Sequence, residues 1–88
     1  MVKNTPVLAR EYELKTQKGL VVENVERGGT AAENGLKPGD VILAVNRTEI
    51  DSVDQFKRIL AGRRAGSMVL LLIDRDGDEV YLRFALPE

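Results

Sequence analysis

A chain of 88 residues with 43% hydrophobic side chains can build one small domain, at the size where a single core becomes just sufficient. Thirteen basic against 14 acidic residues leave a formal net charge of −1, which excludes the basic excess that nucleic acids and anionic membranes demand. The sequence holds no His and no Cys, so the commonest general base, the thiolate nucleophile and the commonest transition-metal ligands are all missing. Neither catalysis nor a metal or other cofactor is therefore expected of this chain. No run approaches the roughly eighteen apolar residues of a membrane span, and no secretory leader pattern opens the sequence.

Residues 1–6 carry no periodicity, and Pro6 disfavours helix at Thr5, so they read as a flexible entry before a single domain over 7–88. In residues 7–14 the apolar side chains Leu8, Tyr12 and Leu14 alternate loosely with charges. Helix and strand compete there, and Val7, Leu8 and Tyr12 favour a strand. A polar turn over 15–19 leads to a mostly buried strand over 20–25. Gly28-Gly29 then opens a turn, and Thr30 with Glu33 has the spacing of a capping box. That helix has room for barely one turn, because Gly35 stands where a left-handed C′ residue belongs. Lys37-Pro38-Gly39-Asp40 has the chemistry of a type II turn, and the apolar run Val41–Val45 follows as a buried strand.

Asn46–Glu49 reads as a tight turn in which Arg47 occupies a position better suited to glycine. Ser52 and Gln55 form a second capping pair, followed by Val53, Phe56, Ile59 and Leu60 on one face of a helix over 53–61. Gly62 stops it, and Arg63 and Arg64 lie near its negative end. Residues 68–73 form a strand apolar on both faces. Asp76-Gly77 is a hairpin signal, and the returning strand points Val80, Leu82, Phe84 and Leu86 inward until Pro87 ends it. The expected fold is α+β, a partly open β-barrel or sandwich of five or six strands with one long and one very short helix.

The stretch 28–42 resembles the signature of PDZ domains of the bacterial, circularly permuted kind, G-S-P-A-A-x-A-G-L-x-x-G-D-V-I. Gly29, Ala31, Ala32, Gly35, Leu36, Gly39, Asp40, Val41 and Ile42 carry the match, with Thr30 standing for the usual Ser and Ala31 in the place of the usual Pro. The last hairpin, residues 69–77 and 80–86, is similar to the end of Do-like serine proteases of the HtrA family, where a trypsin-like domain is followed by one or two PDZ domains. The resemblance implies the last PDZ domain of such a protease. A PDZ domain of an intramembrane zinc protease, which shares G-L-x-P-G-D, is the alternative.

That resemblance implies a binding module that takes an extended or C-terminal peptide as an added strand, between an edge strand and the long helix. The edge strand is then expected at residues 8–14, with a backbone carboxylate nest near residues 7–10. Relatives carry apolar-Gly-apolar in that loop, and Ala9 and Arg10 depart from it. Peptide contact is expected from Leu8, Ala9, Arg10, Glu11 and Tyr12, and from Phe56, Ile59 and Leu60 on the helix. The bland reading beside it makes Phe56, Ile59 and Leu60 core residues, and Arg10, Lys57 and Arg58 solvated charge. Asp74, Asp76, Asp78 and Glu79 read as a charged hairpin tip and not a metal site, and Asp40 as a structural acceptor at its turn.

The implied partners are peptides or unfolded protein C-termini and other domains or subunits of the parent protease, with no nucleic acid and no membrane insertion. A periplasmic or otherwise exported location is implied by the resemblance alone. A competing function is an assembly module that holds protease domains together without binding free peptide.

Overall fold

The computed structural model describes residues 1–23 and 30–86, and the side chains of Thr30 and Ala31 are not described. Among the described residues nine elements follow in order: β1 (Val2–Lys3), α1 (Pro6–Glu11), β2 (Leu20–Val21), α2 (Thr30–Glu33), β3 (Val41–Val45), β4 (Thr48–Glu49), α3 (Val53–Ala61), β5 (Met68–Arg75) and β6 (Asp78–Ala85). The strands form one antiparallel sheet in the order β1-β2-β3-β5-β6, with β4 paired to β3 off that path. The expected α+β open sheet is present, with long α3 and short α2. The Gly28-Gly29 turn and the Thr30 capping box lie outside what is described.

The turns follow their local chemistry. Gly35 and Gly39 adopt φ of +100° and +93°, and the Asp40 amide closes the turn on the Lys37 carbonyl at 3.1 Å. Asp76-Gly77 joins β5 to β6 with φ of +55° and +89°, the two positive values of a type I′ turn. Ser52 caps α3 by accepting from the Gln55 amide at 3.1 Å. The reciprocal bond differs from expectation: Gln55 Oε1 accepts from the Asp51 amide at 3.1 Å, and its Nε2 donates to the Glu49 carbonyl. Gln55 thereby ties the start of α3 to β4.

One sheet face carries the core: Leu20, Val22, Ile42, Val45, Val69, Leu71 and Ile73, joined by Leu36, Ile50 and Phe56. Each fully buried Val, Leu or Ile side chain there contributes roughly 1.5–3 kcal/mol. A register shift places two residues, Leu43 and Ala44, against Leu72 of β5. This bulge turns both Ile42 and Val45 inward although they are three apart, which strict alternation forbids.

Two expectations are overturned at the N-terminus. The strand expected over 8–14 is instead helix α1. Thr5, extended at φ −136° and ψ 163°, accepts from the Leu8 amide at 3.2 Å, and Pro6 supplies a preset first helical residue. At the other end the Leu14 amide bonds the Ala9 carbonyl and the Glu13 amide bonds the Arg10 carbonyl, a Schellman closure with Glu13 at φ +56°. Caps at both ends outweigh the weak β preference of Val7 and Tyr12. Residues 1–6, expected as a flexible entry, hold β1 in register with β2, bury Asn4 at 4% exposure, and provide both the cap and the first residue of α1.

Candidate functional site

Among the described residues β1 and β6 end the main strand path, and β4 pairs with β3 alone. β1 is short but firmly attached. The Asn4 amide donates to the Gly19 carbonyl at 2.9 Å, and its side-chain Nδ2 donates to the carbonyls of Thr16 at 2.8 Å and Lys18 at 3.0 Å. Gly19 permits this arrangement: its φ is +81°, and a Cβ there would collide with the backbone carbonyl of Ile42.

Antiparallel strands present backbone groups to alternate sides. Because Asn4 N–H points into the β1–β2 ladder and Lys3 pairs opposite Leu20, the N–H and C=O of Lys3 point to the open side of the sheet. Beside Lys3 lies a cleft of about 650 Å³. It is lined by Leu43, Ala44 and Leu72 of the sheet, by Ile50, and by Gln55 at the start of α3. Lys3 and Lys18 line it along with Glu49, Asp51 and Glu79, so both signs of charge border it. An outward-pointing donor–acceptor pair on an edge strand can receive an extended chain by main-chain bonding.

The structure divides the residues expected from sequence. Leu8, Ala9, Arg10 and Glu11 lie in α1 and Tyr12 caps it, so they offer no strand edge. Near residues 7–10, where the carboxylate nest was expected, the Leu8 amide donates to Thr5 Oγ1 and the Ala9 amide to the Thr5 carbonyl. Tyr12 Oη lies 3.5 Å from Glu23 Oε2. Partial desolvation, then the negative charges of Glu23 and Glu11, raise its phenol above the ordinary value.

On α3, Phe56 is buried in the core, and Ile59 and Leu60 pack half-buried against it. None of the eight expected residues lines the cleft beside Lys3. Lys3, Asn4 and Gln55 line the cleft and are not among the residues expected from sequence. The Thr5-Pro6 cap signal would have found them, since a helix starting at residue 6 moves the edge strand ahead of it.

Asp40 is structural, as expected, and accepts from the Lys37 amide at 2.9 Å. It also takes two bonds from Arg75, Nε to Oδ1 at 2.9 Å and Nη2 to Oδ2 at 2.8 Å, while Nη2 donates again to the Gly35 carbonyl. Asp40 holds the Arg75 guanidinium above its ordinary pKa through these bonds. At the hairpin tip, Asp74 Oδ1 accepts from the Gly77 amide at 2.9 Å. Among the described residues no group of three or more acidic, His or Cys side chains is placed to hold a metal ion.

The sequence places this open antiparallel sheet in a known family of binding modules. The PDZ domain profile matches residues 2–86, and the chain belongs to the PDZ domain family. It is a binding module whose relatives are serine endoproteases of the DegP/HtrA kind. It is 37% identical over 79 residues to a probable periplasmic serine endoprotease DegP-like of Marinomonas sp., covering 90% of this chain and 16% of that protein. To the periplasmic pH-dependent serine endoprotease DegQ of Escherichia coli it is 35% identical over 65 residues, 74% of this chain and 14% of the relative. Among solved structures, the HtrA-type protease AlgW with decapeptide superposes with a TM-score of 0.83 at 35% identity, covering 97% of this chain and 27% of that one. The HtrA3 PDZ domain bound to a phage-derived ligand shares the fold, with a TM-score of 0.82 at 23% identity.

Proposed function

We propose that this chain is a peptide-binding regulatory module that receives an extended peptide as a strand added to β1, over the cleft that Gln55 of α3 lines. The observation that carries this reading is the outward-pointing N–H and C=O of Lys3 beside that cleft. Main-chain bonds to Lys3 supply register, and Leu43, Ala44 and Leu72 select apolar side chains. Phe56, Ile59 and Leu60 fix α3 on the core and so position Gln55 at the cleft. Leu8 to Tyr12 support the site from behind, because α1 and its cap anchor the end of β1. The AlgW structure contains a decapeptide and the HtrA3 domain a phage-derived ligand, which supports the same use here. The parent is a periplasmic serine protease in this reading, by the names of its relatives, and the module recruits or senses its substrates.

The test is a fluorescence anisotropy titration with labelled extended peptides, comparing the chain with its Lys3→Pro variant. Proline at residue 3 removes an outward donor and leaves the β1–β2 ladder intact, a placement that edge strands tolerate. Binding weakened at least about tenfold, with an unchanged circular dichroism spectrum, supports strand addition, since one main-chain bond with its register is worth about 1.4 kcal/mol. Equal affinity in the two proteins refutes it. Peptides with free and amidated C-termini separate terminal capture from recognition of an internal segment.

A further inference from the structure

The other edge of the sheet is longer and carries a charge pattern of its own, of which only Glu79 also lines the cleft. β6 runs eight residues and pairs with β5 alone among the described residues. The two-residue turn and the bond from the Leu86 amide to the Ser67 carbonyl set the ladder parity: even-numbered residues of β6 bond β5. The N–H and C=O groups of Glu79, Tyr81 and Arg83 therefore point away from the sheet. On the outer face Tyr81 is 62% exposed, flanked along the strand by exposed Glu79 and Arg83. On the core face Val80, Leu82 and Phe84 are only half-buried.

Edge strands in soluble proteins carry charges that repel a second strand. Here the charges do the opposite. An antiparallel copy related by a two-fold axis through Tyr81 pairs residues whose numbers sum to the same value. Glu79 then meets Arg83 of the copy, Arg83 meets its Glu79, Tyr81 meets Tyr81, and Val80 meets Leu82. All three outward-facing residues find backbone partners in that register. A shift of the axis to residue 80 puts Glu79 opposite Tyr81, and a shift to 82 puts Arg83 opposite Tyr81, so the charge pairing selects one register.

We propose that β6 is a self-association edge, through which two copies of this chain join their sheets antiparallel about Tyr81. The interface is isologous and closes as a dimer. It leaves the β1 edge free, at the opposite end of the strand order.

The test is sedimentation equilibrium of the 88-residue chain from micromolar to millimolar concentration, with charge swaps. The unaltered chain is expected to be a concentration-dependent dimer. Arg83→Glu and Glu79→Arg each place like charges opposite one another and are expected to raise the dimer dissociation constant at least about tenfold. An equimolar mixture of the two variants restores every opposite-charge pair and is expected to dimerise again, as is the double swap E79R/R83E. Recovery on mixing cannot come from a folding defect. A chain that stays monomeric to millimolar concentration overturns the proposal, as does a dimer that both single variants leave unchanged or that mixing fails to restore.

Discussion

Replacing Arg75 by Met is expected to destabilise the domain by about 2–4 kcal/mol. Asp40 is buried, with 3% of its side chain exposed, while Arg75 is 31% exposed. Two charged hydrogen bonds at 2.9 and 2.8 Å join them, each worth roughly 1.5–3 kcal/mol when formed with an ionised partner. Solvent reaching Arg75 screens about half of that sum. Losing the Arg75 bond to the Gly35 carbonyl at 2.8 Å adds about 1 kcal/mol. Met keeps the aliphatic stem, so the loss reports the guanidinium. The assay is urea unfolding, read as a lower midpoint at unchanged slope. The double variant Asp40→Asn/Arg75→Met is expected to be less destabilised than the sum of its parts, because a neutral Asn needs no cation. A loss under about 1 kcal/mol, the ordinary worth of an exposed pair, refutes the assignment of a buried carboxylate held by Arg75.

Gly19→Ala is expected to cost several kcal/mol, about 1–2 from the left-handed backbone alone, because its Cβ meets the Ile42 carbonyl; thermal unfolding checks it, and a near-neutral result contradicts the close approach. Arg47→Gly is expected to stabilise by about 0.5–1 kcal/mol in the same assay, since Arg47 holds φ +69° beside Asn46 at +49°. Tyr12 should ionise above the ordinary tyrosine range, and Glu23→Gln should bring its midpoint down in an ultraviolet difference titration. The linkage sign follows: a folded-state pKa raised above the unfolded value stabilises below pH about 10 and is lost as pH rises through the folded value. A midpoint unmoved by Glu23→Gln refutes the Tyr12–Glu23 contact.

The parts of the fold legible in sequence are those whose cause is local. Gly35, Gly39 and Asp76-Gly77 sit where turns require positive φ, and Ser52 with Gln55 starts α3. In residues 7–14 the apolar spacing suits helix and strand alike, and the Thr5-Pro6 cap decides for helix. β1 has no periodic signature in two residues; its evidence is the long-range bonding of Asn4 to Thr16, Lys18 and Gly19. The Asp40–Arg75 pair spans 35 positions, and the bulge at Leu43–Ala44 exists only against β5. The candidate cleft draws on β1, β3, α3 and β5 at once, so no local stretch of sequence outlines it.

Strand addition at β1 is tested most directly by a two-dimensional NMR titration of the labelled chain with extended apolar peptides. The account predicts the largest amide shifts at Lys3 and at the cleft residues Ala44, Ile50 and Gln55, with Lys3 becoming protected from hydrogen exchange. Shifts confined to residues 8–12, or none at millimolar peptide, would contradict it.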